Sequence, residues 1–203
     1  KYLAGSLDES ALGVKRAGSK PKVFSIGCGP AIEVQQFVVS RHFADQIHFT
    51  LLDFNQTTLD YTRADLETIK SRHSREASVE FVRKSVDGII KEASRTVVGG
   101  PKQYDLVYCA GLFDYLTDAV CKRLMEVMYG SVCPGGLLVI TNVGDSNPRT
   151  PTMDHIMDWH LIYRSANDLN KLRPSGAPAN QCVVKADVTG VNIFMEVRKS
   201  LNE

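Results

Sequence analysis

A chain of 203 residues is long enough to bury one substantial core and too short for two comfortable domains, so a single domain over residues 21–203 is expected. Hydrophobic residues make up 43%, charged residues 23%, and the formal net charge of +1 gives no electrostatic reason to expect nucleic acid; a small, roughly neutral partner fits better. The five cysteines (Cys28, Cys109, Cys121, Cys133, Cys182) nowhere form Cys-x-x-Cys, which argues against a disulfide framework or zinc site and for reduced, cytoplasmic thiols.

The chain opens at Lys1 without an initiator methionine, and residues 1–20, dotted with glycine and serine, read as a lead-in whose own beginning is missing. No charged-then-apolar leader opens it, and no run reaches the roughly 18 consecutive apolar residues of a membrane span. After Pro21, short apolar runs alternate with amphipathic segments. The runs at 23–26, 47–52, 79–82, 106–109 and 137–141 predict strands buried on both faces. Apolar residues at three- and four-residue spacing predict helices over 31–43, 56–72, 86–93 and 119–129. This βα rhythm predicts a doubly wound α/β fold around a parallel sheet. Beyond Gly144 the rhythm changes: a proline-containing loop at 147–151, a helix over 152–160 and a short helix over 166–172. Two β-rich runs, 182–188 and 191–197, joined by Thr189-Gly190, predict a terminal hairpin.

The first strand runs through Gly27-Cys28-Gly29-Pro30-Ala31 directly into a helix. Residues without side-chain bulk let backbone approach a ligand, while free N–H groups at the helix start face it. A dinucleotide loop wants a third glycine three places after Gly29; Ile32 stands there, and Pro30 removes an N–H that a pyrophosphate would use. Asp53 ends the second strand, where a carboxylate accepts both ribose hydroxyls of an adenosine ligand. The plainer readings are an ordinary βα turn for the glycines and an N-cap of the next helix for Asp53.

With Leu51-Leu52-Asp53, Asp105-Leu106-Val107-Tyr108-Cys109-Ala110-Gly111 and Pro134-Gly135-Gly136-Leu137-Leu138, the glycine loop resembles the motifs of class I S-adenosylmethionine-dependent methyltransferases, in their order, over residues 23–199. The resemblance implies a Rossmann-like, mostly parallel seven-stranded sheet closed by an antiparallel hairpin, with S-adenosyl-L-methionine as cofactor. It implies that Gly27, Cys28, Gly29 and Pro30 pass under the methionine part, that Asp53 holds the ribose, and that Phe54 and Asn55 flank the adenosine. Ser85 and Val86 would lie beside the adenine, and Cys109, Ala110 and Gly111 beyond the sulfur. The family often has an acidic residue two places before the first glycine; Ser25 stands there, and Glu33 is the candidate substitute.

Ligands of open parallel sheets lie beyond the carboxyl ends of the strands, which puts the acceptor near Tyr115, Asn142, His155, Trp159, Tyr163 and Arg164. On the expected helix, His155 shares a face with Trp159, and Asp154 with Asp158. The bland alternative packs Trp159 and Ile156 into the core and leaves His160 and Arg164 solvated or salt-bridged. His155 and Asp158 suggest a metal only weakly, since no third ligand converges. The strings Phe113-Asp114-Tyr115-Leu116, Asp158-Trp159-His160-Leu161-Ile162-Tyr163-Arg164 and Thr189-Gly190-Val191-Asn192-Ile193-Phe194 look more closely like bacterial proteins that make extracellular factor, a 3-hydroxypalmitic acid methyl ester. That resemblance implies methyl transfer to a fatty-acid carboxylate.

A carboxylate acceptor needs alignment and exclusion of water, with Arg164 or His160 orienting it and Tyr115, Trp159 and Tyr163 as walls. A hydroxyl or amine needs a base, for which His160, His155 and Asp114 are candidates. Two other classes stay open: a nicotinamide-dependent oxidoreductase, disfavoured by Pro30, Ile32 and the lack of a Tyr-x-x-x-Lys pair, and a nucleoside-binding regulatory module without turnover.

Overall fold

The computed structural model describes residues 20–95, 103–147 and 158–201. All five apolar runs form strands: β1 (Lys22–Ile26), β2 (His48–Asp53), β3 (Ser78–Arg83), β4 (Tyr104–Cys109) and β5 (Val132–Val143). Helices α1 (Ile32–Ser40), α2 (Gln56–His73), α3 (Val86–Arg95) and α4 (Asp118–Ser131) lie between them. A short α5 (Ala166–Lys171) precedes β6 (Cys182–Ala186) and β7 (Asn192–Arg198).

These strands make one seven-stranded sheet in the order β3-β2-β1-β4-β5-β7-β6. The first five are parallel, while β7 runs antiparallel to both β5 and β6. Such a sheet must be covered on both faces, because its connections cross over it as helices. On one face Val34, Phe37, Leu59 and Leu66 of α1 and α2 pack with Val23, Phe49, Leu51 and Leu106. On the other, Ile89, Leu124, Met125 and Met128 of α3 and α4 pack with Ile26, Val107, Leu138 and Ile140. The chain steps outward from β1 to β3 and then returns to β4 on the other side of β1. At that reversal the loops after β1 and β4 diverge to opposite faces, leaving a crevice at the strand ends where doubly wound folds bind ligands.

Four expectations are corrected at their edges. The helix expected over 31–43 stops at Ser40, where Arg41 turns extended (φ −126°), and a separate turn of 3₁₀ helix spans His42–Gln46. Phe43 still reaches the core, edge-on to Phe37 at 5.4 Å. Pro134-Gly135-Gly136, expected as a turn before the fifth strand, lies inside β5 at a register shift against β4. A Cβ on Gly136 would stand 2.7 Å from Val132 Cγ1 and 3.0 Å from the Asp105 carbonyl, so β4 and β5 approach there as only glycine permits. The terminal hairpin is joined by five residues rather than two, because Asp187 Oδ1 accepts from the Thr189 N–H, the Thr189 hydroxyl and the Val191 N–H. Finally, residues 148–157, which hold most of the expected 152–160 helix, lie outside the described residues. Residues 158–160 are not helical, and Asp158 is left-handed (φ 49°).

Among the described residues no helix is long and apolar enough to cross a membrane. Gly136→Ala is expected to cost about 1–3 kcal/mol, because the new methyl meets fixed backbone oxygens; a lowered urea midpoint at unchanged slope checks it.

Candidate functional site

The chain reverses direction between β1 and α1 within five residues. Gly27 (φ 66°) and Gly29 (φ 51°) take the left-handed conformations this requires. A Cβ on Gly27 would press on Leu112 at 3.0 Å, whereas at Gly29 nothing lies within 4 Å, so Leu112 bounds the loop at Gly27 and the space at Gly29 is open. Three hydrogen bonds pin the loop to β2 and α2. The Cys28 N–H donates to the Leu52 carbonyl (2.9 Å), the Gly29 N–H to Asp53 Oδ2 (3.0 Å), and the Thr62 hydroxyl to the Gly29 carbonyl (2.9 Å). Pro30 uses its carbonyl to accept from Gln35 Nε2.

Asp53, 8% exposed, receives the Asn55 N–H on its other oxygen (2.9 Å). It is not the cap of α2. That role belongs to Asn55, whose Oδ1 accepts from the Thr57 and Thr58 N–H groups. A carboxylate has about four acceptor positions, and two remain beyond those filled by Gly29 and Asn55. A carboxylate with acceptor positions to spare, beside an uncovered glycine backbone, suits a neutral diol approached from the cleft side. Phe54, 67% exposed, follows at the end of β2. Ser85 is spent locally: its hydroxyl accepts from the Gly88 N–H in the first turn of α3, and Val86 is half-buried against the core.

At the end of β4, Cys109 is fully buried, and burial pushes its thiol well above the usual range. Ala110 is half-buried, and Gly111 (φ 81°) donates its N–H to the Thr141 hydroxyl on β5 (2.9 Å). Cys28 is pushed up to about 12, first by burial and then by the carboxylates of Asp53 and Glu33. Both thiols stay protonated, so neither is an activated nucleophile. Glu33, in the first turn of α1, accepts a hydrogen bond from the Tyr108 hydroxyl at 2.7 Å.

The acceptor side differs most from expectation. Arg164 is neither solvated nor available to a substrate: it is 2% exposed, and all five of its donors are committed. Nε and Nη2 donate to Asp118 Oδ1 (3.0 and 2.7 Å), Nη1 to the Phe113 carbonyl and Asn142 Oδ1 (both 2.7 Å), and Nη2 also to the Leu116 carbonyl (2.6 Å). Asn142 is consumed by the same knot, its Nδ2 donating to the Val143 and Ile162 carbonyls. The expectation that Arg164 and Asn142 contact an acceptor is therefore corrected: they lock the segment 158–164 onto the end of β5. Asp114 is held between them, accepting the Val143 N–H on Oδ1 (2.7 Å), while its carbonyl accepts from the Ile162 N–H. Its Oδ2 lies 4.0 Å from where a Cβ on Gly111 would stand. Burial raises its carboxyl from 3.8 to about 6, against the lowering effects of the Val143 N–H and Arg164.

Trp159 does not enter the core. It is 43% exposed and donates its indole N–H to the Tyr115 hydroxyl (2.7 Å), so these two expected wall residues do meet. His160 stands exposed beside Asp158 (3.0 Å), and Tyr163 is half-buried. His155 lies outside the described residues. Among the described residues no group of three or more metal-binding side chains converges.

Three residues that hold the site were missed in the sequence: Thr62, Thr141 and Tyr108. Thr62 carried a signal, since it falls on the buried stripe of α2 between Leu59 and Leu66, where a polar residue needs a partner. Thr141 and Tyr108 sit in apolar strand runs and gave none.

No family model and no curated protein matches the chain. Solved structures do. A protein described as a possible exported protein from Bordetella parapertussis superposes with a TM-score of 0.70 at 15% identity, over 98% of this chain and 67% of that one. Human N-acetylserotonin methyltransferase, in complex with SAM, gives 0.61 at 16% identity over 98% and 50%. Magnesium protoporphyrin IX methyltransferase from Synechocystis, with bound SAH, gives 0.61 at 11% identity over 98% and 83%. The chain thus spans half the length of the human enzyme. At these identities the likeness establishes the fold alone, a Rossmann-like one that this chain shares with those methyltransferases, and says nothing of the narrower extracellular-factor group.

Two outcomes follow. Arg164→Met leaves Asn142 and two carbonyls without their donor and should cost roughly 3 kcal/mol or more; urea unfolding followed by Trp159 fluorescence measures it. Asp114, with a folded pKa above its unfolded one, binds more protons folded than unfolded between about pH 4 and about pH 6. Stability from this group therefore falls as pH rises through that window, by on the order of 2–3 kcal/mol. Asp114→Asn should remove that fall, which the difference between wild-type and variant urea curves at pH 4 and pH 7 reads directly.

Proposed function

We propose that this chain is an S-adenosylmethionine-dependent methyltransferase domain acting on a small molecule. The observation that carries the reading is Asp53, buried at the end of β2 and fixed by the Gly29 and Asn55 N–H groups beneath open space. Residues that would hold the cofactor are Gly27, Cys28, Gly29, Asp53 and Phe54, with Cys109, Ala110 and Gly111 at the far end. Bound there, S-adenosylmethionine supplies an electrophilic methyl group. Similar folds described with SAM or SAH support the choice of cofactor.

The chain's own groups then have three tasks. Asp53 binds the ribose hydroxyls and orients the nucleoside. Tyr115 and Trp159, linked to each other, wall the acceptor side and exclude water. Asp114, ionised above about pH 6 and beside Gly111, takes the proton of an acceptor hydroxyl or amine as the methyl is transferred.

This favours a proton-bearing acceptor over the fatty-acid carboxylate that the sequence resemblance implies. A carboxylate acceptor would face the like charge of Asp114 and find Arg164 committed elsewhere; His160 is the one expected residue left to orient it. A nicotinamide cofactor fits less well, because Pro30 offers no N–H and Ile32 replaces the third glycine. The five free thiols fit a reducing, cytoplasmic setting.

Asp53→Ala tests the reading. It should weaken S-adenosylhomocysteine binding by roughly tenfold or more, as loss of a charge-assisted hydrogen bond does, while the far-ultraviolet circular dichroism stays native. Unchanged affinity in a folded variant would refute the ribose role.

A further inference from the structure

The two faces of the sheet are not covered alike. Val23 of β1 and Phe49 and Leu51 of β2 are sealed under α1 and α2. On the other face Phe24 of β1 and Glu80 and Val82 of β3 are only half-buried, although β1 is the third strand of seven. Over this face α3 and α4 bound a cavity of about 760 Å³. Its walls are largely aliphatic, with Ile89 and Ile90 from α3, Val127 from α4 and Val82 from β3. Part of the floor is aromatic, the ring of Phe24 stacked on that of Tyr104 with centroids 4.8 Å apart.

Tyr104 begins β4, and two further wall residues, Ser94 and Ser131, lie in the last turns of α3 and α4. Crossover helices run back against their strands, so these three residues mark the end of the sheet remote from the crevice at Gly29.

Thr50 separates this cavity from a mere packing gap. It stands in register with Phe24 on one side and Glu80 on the other, so its side chain rises from the same face as theirs and into the cavity wall. It is 2% exposed, and its hydroxyl makes no hydrogen bond. A hydroxyl buried without a partner destabilises the fold, and a valine of the same shape would avoid that cost. Of the charged side chains in the wall, Lys84 pairs with Glu92, Glu126 accepts the Ser175 N–H, Glu80 faces His48 at 3.6 Å, and Arg123 is exposed to solvent. What is unmet inside is one hydrogen bond rather than a charge.

We propose that this cavity is a second ligand site, taking an uncharged, largely apolar molecule with one hydrogen-bonding group that meets Thr50. Its volume falls in the range of roughly 300–1,000 Å³ common to small-molecule sites, where apolar walls hold the body of a ligand and a few polar groups orient it. The site stands apart from the methyltransferase reading and does not depend on it.

N-phenyl-1-naphthylamine, uncharged and apolar with a single N–H, is the probe, because its fluorescence rises when it leaves water. Wild-type protein should bind it saturably, one to one. Val127→Trp, which places an indole in the cavity, should weaken binding by roughly tenfold or more. Thr50→Val should weaken it about threefold to tenfold while its urea midpoint is no lower than that of the wild type. Ala93→Trp, at the exposed edge of α3, replaces Val127→Trp if that variant does not fold. The proposal is overturned by an absence of saturable binding, as when another part of the chain fills the cavity, or by unchanged affinity in the tryptophan variant or in Thr50→Val. A lowered Thr50→Val midpoint would make the hydroxyl structural and overturn it too, as would displacement of the probe by S-adenosylhomocysteine, which would place it in the crevice.

Discussion

At the reversal point of the sheet, two backbone N–H groups from different segments converge on one carboxylate, that of Asp53. Burying a carboxylate is costly unless it is well hydrogen-bonded, so the position of Asp53 dictates where Gly29 and Asn55 must lie. Gly29 in turn reaches that N–H position only with a positive φ, and its carbonyl is returned to α2 by Thr62. The loop, the strand end and the helix start are thus one hydrogen-bonded unit. It leaves the space over Gly29 uncovered, and a nucleoside would use the acceptor capacity that remains.

A second polar knot does for the segment 158–164 what Asp53 does for the glycine loop. Arg164 gathers the Phe113 and Leu116 carbonyls, Asn142 and Asp118, tying the turn after β4, the start of α4 and the end of β5 to the segment 158–164. Planar, multidentate guanidinium chemistry suits this task, whereas a lysine would satisfy fewer acceptors. One consequence is chemical: with the cation fully engaged, an acceptor in the proposed reaction would meet the exposed pair Tyr115–Trp159 and the buried Asp114. The fold therefore spends the only buried arginine among the described residues on architecture.

Most of this architecture was legible in the sequence. The apolar runs gave β1 to β5 because strands covered on both faces must be apolar throughout, and the glycine loop with Asp53 located the crevice. What could not be read lies in two kinds of residue. Arg164 looked like a substrate contact because charged residues are seldom fully buried; only the convergence of four segments distant in sequence makes its burial favourable. Asp158 and Trp159 looked helical from spacing alone, but the left-handed Asp158 and the pairing of Trp159 with Tyr115 are tertiary choices. Thr62 was readable in principle, as a hydroxyl on a buried helix stripe.

Asp53 and the open Gly29 backbone are proposed to receive S-adenosylmethionine rather than a dinucleotide. Titrating the wild-type protein in parallel with S-adenosylmethionine and NADH in a calorimeter tests it most directly. Saturable, one-to-one binding of S-adenosylmethionine with no heat from NADH is the predicted result; binding of NADH alone, or of neither, would contradict it.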